Sequence, residues 1–389
     1  MSPRVQSGLD RVAEGNADAL RLLRGRRVGL LAHAASVDAE LRPAELVLRA
    51  AGAEIAALFG PEHGYTGYAQ DMQSVADAAQ EKLPVYSLYG DSFDALSPRP
   101  EWLRGLDAVV IDLQDVGSRY YTFVWSAALM LRACAASGVC CVVLDRPNPL
   151  GGELLEGRAQ RPGYRSFVGL YDVPVRHGLS LAEVLRMVRA LEGIDEQLLE
   201  IVPMRGYRRA HSFAETGLPW VLPSPNMPTP DTALVYPGGC LLEGTNLSEG
   251  RGTTRPFELW GAPFVDGAAL AEAVRLPGAA LRPVWFAPTF HKFAGRPCGG
   301  VQVHVREPKT FRAYAGYLRL IAAVAQRSEA FAFRTETYEY VSDRPAIDLL
   351  TGGPEYRSAV RAGGPDEELL AWLCDPGDFA ARRRDWLLY

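Results

Sequence analysis

The sequence lacks the features that mark several common classes of protein. None of its 389 residues belongs to an apolar run of about 18, the length a membrane-spanning helix requires, and no signal peptide is visible. Basic residues number 41 against 46 acidic ones, and this net charge of −5 argues against nucleic acid as a partner. We therefore expect a cytoplasmic protein without a membrane span, unless an export signal has been removed from the chain.

Patterns that bind metals or nucleotides are missing as well. The six cysteines form no CxxC pair and the six histidines no HExxH motif, so we expect no metal and reduced, structural thiols. The first predicted strand-to-helix turn reads LLAHAASVD, with neither GxGxxG nor GxxxxGK[ST], and no GxSxG motif occurs. We therefore expect no nucleotide and no other cofactor.

Short apolar runs alternate with helical periodicity in the first part of the chain. The runs that read as strands are residues 27–32, 55–59, 85–89, 108–113, 139–144 and 199–204, and helical spacing occurs in residues 45–51, 123–136 and 180–193. This alternation predicts βαβ units and an α/β fold with a parallel sheet that is buried on both faces.

The character of the sequence changes after a proline-rich segment, residues 218–230. Two further strands are expected in residues 282–290 and 299–305, followed by a helix in residues 311–326. We therefore place a parallel-sheet domain at 1–232 and a smaller α+β domain at 233–389. The proline-rich segment is either a linker or a stiff loop that presents Asn226.

Polar residues crowd at three predicted strand ends. The segments are GPEHG at 60–64, DLQDVGSR at 112–119 and DRPNP at 145–149. Ligands of open parallel sheets bind at the carboxyl ends of the strands, so these clusters favour a site at that edge. Glu62 stands out because it adjoins His63 in a tight loop.

Paired carboxylates suggest glycoside hydrolysis, in which one acid protonates the leaving oxygen and a second group acts on the anomeric carbon or on water. The sequence does not give their separations, and each of them is as readily a residue that caps or braces a loop. The candidates are Glu62, Asp112, Asp115, Asp145, Glu156 and Glu243.

A series of motifs then matches a known family in order. They are ALFGPEHG (57–64), LPVYSLYG (83–90), DLQDVGSRYYT (112–122), LDRPNPLGG (144–152), VGLYDVPVRHGLS (168–180), EGTNLSEGRGTTRPFE (243–258) and CGGVQVHV (298–305). The chain resembles the NamZ-type exo-β-N-acetylmuramidases, glycoside hydrolase family 171, also called YbbC-like proteins. The resemblance runs from about residue 8 to residue 305, with a looser tail.

This resemblance implies a bacterial enzyme of cell-wall recycling that releases N-acetylmuramic acid from the non-reducing end of peptidoglycan fragments. The substrate would be a peptidoglycan-derived disaccharide or a muropeptide. The implied fold is a Rossmann-like N-terminal domain without a nucleotide, and a smaller C-terminal domain that closes the substrate cleft. Glu62 of the GPEHG motif matches the leading catalytic candidate of the family.

The expected catalytic residues are Glu62, His63 and Asp112. Glu62 would protonate the glycosidic oxygen. Asp112 would position water or stabilise the cationic transition state; assistance by the substrate's acetamido group is an alternative to this role. A structural role, in which Asp112 braces its loop, is equally consistent with the sequence.

The expected substrate-binding residues are Arg146, Asn148, Glu156, Asn226, Glu243, Asn246, Arg251, Thr253 and Arg255. N-acetylmuramic acid carries a lactyl carboxylate, which an arginine binds with two parallel hydrogen bonds. Arg251 is the first choice, because Gly250 and Gly252 would let the backbone approach a ligand. Its alternative role is to pair with Glu249 or Glu243.

Two other functions remain open at this stage. A non-catalytic peptidoglycan- or sugar-binding protein would keep the same cleft without turnover. A Rossmann oxidoreductase is less favoured, and absorbance of bound nicotinamide or flavin would reveal it.

Overall fold

A parallel sheet forms the centre of the N-terminal part. The computed structural model describes residues 4–70, 72–80 and 83–389. In spatial order the strands run β3-β4-β2-β1-β5-β6-β7, and all pairs are parallel except that of the edge strand β3 with β4. These strands are β1 (Arg27–Ala32), β2 (Glu54–Gly60), β3 (Ala78–Gln80), β4 (Leu83–Ser87), β5 (Ala108–Asp112), β6 (Cys140–Leu144) and β7 (Leu199–Val202).

Helices cover both faces of this sheet. Alternate residues of one strand point to opposite faces, so Val110 packs with α1–α3 while Val109 packs with α4–α6. The predicted α/β class and its Rossmann-like doubly wound sheet are therefore confirmed. The helices of this part are α1 (Gly8–Ala13), α2 (Ala17–Arg21), α3 (Ala44–Ala50), α4 (Pro100–Leu103), α5 (Phe123–Ser137), α6 (Leu181–Glu192) and α7 (Phe213–Thr216).

Local sequence signals explain where the longer helices begin and end. The Ser180 hydroxyl and the Glu183 carboxylate form a reciprocal capping box at the start of α6. Gly193 ends the helix in a left-handed conformation that glycine adopts without steric cost. The prediction of a helix in residues 180–193 is thus confirmed to within one residue at each end.

The C-terminal part contains a three-stranded antiparallel sheet in the order β8-β10-β9. Its strands are β8 (Leu259–Ala262), β9 (Ala279–Phe286) and β10 (Cys298–Val305), and its helices are α8 (Pro230–Gly239), α9 (Gly267–Ala273), α10 (Ala313–Arg327), α11 (Ala346–Thr351), α12 (Glu355–Arg361), α13 (Glu367–Cys374) and α14 (Phe379–Arg382). The sequence pattern predicted β9, β10 and α10. It did not predict β8, α9, the short elements that follow α10, or α8, which contains Pro237 and two glycines.

The two parts share one continuous core. Apolar residues of α5 and α6 belong to the same buried cluster as those of α8, α10 and α11. The end of the chain returns to the parallel sheet, where the Tyr389 hydroxyl donates a hydrogen bond to Asp145 at 2.9 Å. Within the described ranges, no helix has the length and apolar character needed to cross a membrane.

Candidate active site

A tight turn after β2 positions Glu62. A Cβ atom on Gly60 would lie 2.3 Å from the backbone nitrogen of Tyr65, so the turn requires glycine at this position. His63 adopts a positive φ of 70°, which is uncommon for a residue with a side chain, and its Nδ1 lies 2.9 Å from the carbonyl oxygen of Ala69. The turn brings the Glu62 side chain beneath the surface, where the residue is 5% exposed.

The carboxylate of Glu62 accepts hydrogen bonds from two neutral groups. The Thr122 hydroxyl donates to its Oε2 at 2.6 Å, and the backbone N–H of Met72 lies 3.4 Å from its Oε1. Thr122 directly precedes α5, a position from which threonine often caps a helix, yet its hydroxyl makes no cap bond. Thr122 therefore orients the carboxyl group of Glu62, although its position before a helix is typical of a capping residue.

Glu62 lines a small cavity between the two parts of the chain. The cavity holds five of the twelve residues predicted for the site: Glu62, His63, Asn226, Glu243 and Arg251. The other residues along its wall are Tyr120, Tyr121, Thr122, Val168, Ser224, Met227, Tyr236, Phe257, Tyr338 and Glu339. Aromatic rings therefore form much of a wall that also carries three carboxylates.

The wall opposite the parallel sheet contains a bonded set of Glu243, Arg251 and Tyr338. Glu243 lies in a 3₁₀ turn, Cys240–Gly244, that follows α8. Arg251 Nη2 donates to its Oε1 at 2.7 Å, and the Tyr338 hydroxyl donates to its Oε2 at 2.7 Å. Both oxygens of Glu243 are thus engaged by protein groups.

Arg251 also faces a second carboxylate, the fully buried Glu249, at 3.2 Å from its Nε. Lys292 Nζ and His291 Nδ1 each lie 2.9 Å from Glu249 as well. Burial alone would raise the pKa of Glu249, but the charge of Lys292, the hydrogen bond from His291 and the charge of Arg251 hold it well below its usual range. The pairing of Arg251 with both glutamates, left open by the sequence, is present.

The glycines beside Arg251 serve the protein's own backbone. A Cβ on Gly250 would lie 1.9 Å from the carbonyl oxygen of Leu259, and one on Gly252 would lie 2.7 Å from the nitrogen of Phe290. In the structure these glycines permit the close approach of neighbouring chain segments, and their approach to a ligand stays a prediction. The predicted contact of Arg251 with substrate stays a prediction, supported by its place in the cavity.

Asn226 reaches the cavity from the proline-rich segment. This segment has no regular structure before Pro230, where α8 begins. The Asn226 amide donates to Gln70 Oε1 at 2.9 Å, so the segment is tied to the loop that follows Glu62. Of the two interpretations offered by the sequence, the geometry fits a loop that presents Asn226.

Asp112 and Arg146 form a buried ion pair outside the cavity lining. Arg146 Nε donates to Oδ1 of Asp112 at 2.5 Å, and Nη2 donates to Oδ2 at 2.8 Å. Burial raises the pKa of Asp112 against the opposing charge of Arg146. For Arg146 burial acts in the lowering direction, and the charge of Asp112 outweighs it, so its pKa is raised and the guanidinium stays protonated. This geometry favours the bracing role for Asp112, and its catalytic role stays a prediction.

The other predicted substrate ligands lie outside this lining and make bonds within the protein. The Asn148 amide donates to Leu179, and Glu156 accepts from the backbone of Ala315. Burial raises the pKa of Glu156 to about 6, since it outweighs that backbone bond and the charge of Arg176. The remaining bonds join Asn246 to the backbone of Ala330 and Ala332, Thr253 to the carbonyl of Gly250, and Arg255 to Glu258.

Glu339, which was not predicted from the sequence, lines the same cavity as Glu62. The Tyr89 hydroxyl lies 3.4 and 3.3 Å from its two carboxylate oxygens. Glu339 and Tyr340 are consecutive residues with positive φ, 45° and 67°, and such backbone strain concentrates at functional sites. No strand end or motif marked this segment, because it belongs to the tail where the resemblance was loose.

Two family models match consecutive parts of the chain. Residues 28–231 match the N-terminal domain of exo-β-N-acetylmuramidase NamZ, and residues 234–389 match its C-terminal domain. The chain belongs to the NamZ exo-β-N-acetylmuramidase family. The resemblance that the motifs indicated is confirmed.

Individual relatives support this membership over the whole length. Peptidoglycan β-N-acetylmuramidase NamZ of Bacillus subtilis (strain 168) is 38% identical over 394 residues, covering 100% of this chain and 92% of the relative. The crystal structure of a DUF1343 family protein from Bacteroides fragilis NCTC 9343 is 30% identical, with a TM-score of 0.86 and 99% of each chain covered. A second such protein from that strain is 24% identical and shares the fold at a TM-score of 0.73, covering 100% of this chain and 99% of its own.

Proposed function

We propose that this exo-β-N-acetylmuramidase hydrolyses its substrate in the cavity that contains Glu62. Peptidoglycan exo-β-N-acetylmuramidase activity follows from the family and the full-length relative. The observation that carries the location is the presence of two buried glutamates, Glu62 and Glu339, in one enclosed space. Glycosidases use such carboxyl pairs on either side of the scissile bond.

The recessed position of the cavity supports exo action. Glu62, Arg251, Tyr338 and Glu339, which line it, are all buried. A site recessed between two parts of the chain receives the end of a glycan and leaves the remaining glycan outside. An endo-acting enzyme needs an open cleft through which the chain passes on both sides.

Glu62 is the proposed general acid. Its protonated carboxyl group would give its proton to the glycosidic oxygen as the bond to the anomeric carbon breaks. The Thr122 hydroxyl and the Met72 N–H hold the carboxyl group in one orientation and stabilise the carboxylate that remains. His63 supports this geometry from within the turn, through its contact with Ala69.

Glu339 is the proposed second group. Its carboxylate would stabilise the positive charge that develops on the sugar ring or activate the attacking water. Assistance by the acetamido group of the substrate is the alternative chemistry, and it requires no protein nucleophile. The position of Glu339 in the cavity lining supports it over Asp112, whose oxygens are bound by Arg146.

Recognition of the lactyl carboxylate is assigned to Arg251 within this proposal. The guanidinium lines the cavity while it binds Glu243, and Asn226 adds an amide to the same wall. The expected substrate is the disaccharide of N-acetylmuramic acid and N-acetylglucosamine, or a muropeptide. Action in the cytoplasm on recycled fragments belongs to the same proposal, and cell fractionation tests it.

Synthetic chromogenic N-acetylmuramyl and N-acetylglucosaminyl glycosides, assayed side by side, test the activity. We expect cleavage of the muramyl substrate. On the natural disaccharide, Glu62→Gln should lower kcat by roughly a hundredfold or more, the usual scale of general acid catalysis. Glu54→Gln, which alters an exposed carboxylate at the start of β2, is the matched control. Wild-type turnover of the disaccharide by Glu62→Gln would show that the acid is another residue.

Arg251→Met tests selectivity. The preference for muramyl over glucosaminyl substrate should fall by roughly 2–4 kcal/mol, because a buried charged partner is lost. The melting temperature should also fall, since Glu243 and Glu249 lose a partner. Arg275→Met, which alters an exposed arginine after α9, is the control. An unchanged preference in Arg251→Met would leave this arginine with a structural role alone.

A further inference from the structure

An open groove of about 540 Å³ lies in the C-terminal part, beside the cavity that contains Glu62. Ten residues line it, and they come from segments 245–246, 291–293 and 332–336. The Asn246 side chain binds the backbone of Ala330 and Ala332, so it holds one wall of the groove in place.

The groove and the cavity adjoin each other at Arg334. The Arg334 guanidinium lies over the ring of Tyr338, 5.4 Å from its centroid, and the Tyr338 hydroxyl donates to Glu243 inside the cavity. On its other side, Arg334 Nη2 is 3.8 Å from Met72 Sδ, and the Met72 N–H is the group that faces Glu62. Arg334 therefore stands at the boundary between the groove and the cavity.

The groove combines aromatic rings with cations held by the protein. Phe293 and Phe333 are half-buried along its wall. Lys292 is fixed by bonds to Glu249 and two backbone carbonyls, while Arg334 donates to the carbonyl of Thr337 at 3.2 Å. Aromatic faces suit the apolar faces of sugar rings, and a fixed arginine suits a carboxylate.

The charged side chains of the groove differ in how much of each is exposed. Lys292 and Arg334 each expose 19% of the side chain, whereas Glu336, which lies 3.8 Å from Arg334, exposes 74%. Because an exposed ion pair contributes little, Glu336 can give way to an anionic ligand at small cost. The fixed cation then faces a ligand that enters the groove.

We infer that this groove binds the glycan on the leaving-group side of the cleaved bond, with Arg334 bound to the lactyl carboxylate of the second N-acetylmuramic acid. The inference rests on the proposed function, in which the terminal sugar occupies the neighbouring cavity. Peptidoglycan strands alternate the two sugars, so a second lactyl group follows the intervening N-acetylglucosamine. The preferred substrate is then a strand without stem peptides, in which that carboxylate is not amidated.

Three substrates test this inference: the disaccharide, the tetrasaccharide of two repeats, and the same tetrasaccharide with its second lactyl carboxylate capped as a methylamide. The wild-type kcat/KM should be at least about tenfold higher for the tetrasaccharide than for the disaccharide, mainly through KM. Capping should remove most of this advantage. Arg334→Gln should hydrolyse the capped and uncapped tetrasaccharides equally well, whereas Arg334→Lys should retain part of the difference.

Arg282→Gln is the matched control, because Arg282 is an exposed arginine on β9 that binds Gln302 outside the groove. It should keep the wild-type preference, and melting curves for each variant identify loss of folding. If Arg334→Gln fails to fold, the wild-type comparison of capped and uncapped tetrasaccharide decides the inference by itself.

The outcomes separate this inference from the proposed function. Equal kcat/KM for disaccharide and tetrasaccharide would overturn the groove assignment while leaving the muramidase activity intact. Discrimination against the capped substrate that persists in Arg334→Gln would show that another group binds the carboxylate. If no substrate is hydrolysed, the proposed function fails, and calorimetry with the uncapped and capped tetrasaccharides still measures whether the groove binds them differently.

Discussion

Two strand ends at one edge of the sheet deliver buried carboxylates with different partners. β2 and β5 lie on either side of β1, and they lead to Glu62 and Asp112 respectively. Both oxygens of Asp112 are bound by the charged Arg146, whereas the described donors to Glu62 are a hydroxyl and a backbone N–H. Position at the sheet edge therefore does not decide whether a carboxylate is available for chemistry; its partner does.

The different partners of Glu62 and Asp112 also explain why the usual ligand position of this fold carries none of the proposed chemistry. In doubly wound sheets ligands bind where the strand order reverses, here between β1 and β5. At that point the ion pair of Asp112 and Arg146 fills the edge, and residues 213–221 help to enclose a small crevice. The proposed chemistry is shifted one strand outward, to the turn that follows β2.

The largest effect is expected from Asp112→Asn. Removing one partner of a buried ion pair leaves Arg146 without its countercharge, which costs about 3–5 kcal/mol of the free energy of unfolding. Urea denaturation measures this loss, and turnover per folded molecule should fall far less than in Glu62→Gln. A stable Asp112→Asn protein with strongly reduced turnover would reverse the comparison and restore the catalytic role predicted from the sequence.

The next largest effect is expected from Glu339→Gln. The amide keeps a hydrogen bond with Tyr89 but loses the negative charge, so kcat on the disaccharide should fall by about a hundredfold with little change in melting temperature. Glu329→Gln, which alters an exposed carboxylate in the same part of the chain, provides the comparison. Normal turnover in Glu339→Gln would favour assistance by the acetamido group of the substrate.

A smaller effect should appear in the pH dependence of stability, through His33 at the end of β1. Burial, followed by the charge of Arg146, lowers the pKa of His33 to about 3, compared with about 6.5 in the unfolded chain. Between these two values the unfolded chain binds a proton that the folded protein does not, so the stability contribution is lost as the pH falls. The slope reaches about 1.4 kcal/mol per pH unit.

Denaturation of His33→Gln at pH 7.5 and pH 5 measures this contribution. The variant should lose less stability than the wild type over that interval, even if it is less stable at both values. His304→Gln, which alters an exposed histidine on β10, is the control. Equal pH dependence of the wild type and His33→Gln would mean that the folded protein accommodates a protonated imidazole at His33.

The smallest effect is expected from loss of the hydrogen bond between the side chains of Asn226 and Gln70, beside the cavity that contains Glu62. Asn226→Ala and Gln70→Ala each remove the bond between these two side chains. The double variant should show a coupling free energy of about 0.5–1.5 kcal/mol, measured on kcat/KM for the disaccharide. Strictly additive losses would show that Asn226 acts independently of the loop that carries Glu62.

Much of the sheet was predictable because its signals are local. The apolar runs at 27–32 and 108–113 became β1 and β5 within one residue, since strands buried on both faces need continuous apolar sequence. The GPEHG motif likewise identified Glu62 at a strand end. The short helices after α10 carry weak periodicity, so they escaped the same reasoning.

The amino-acid sequence by itself determined the α/β class, the strand-end position of Glu62 and, through its motifs, the family. Only the tertiary structure decided which carboxylates meet in the cavity. Asp112 binds Arg146, which lies 34 residues later in the chain. Thr122 binds Glu62, 60 residues earlier, and Tyr89 contacts Glu339, 250 residues later. A periodic pattern reports the local burial of a segment, whereas the partner of a charged group depends on which distant segments the packed core brings together.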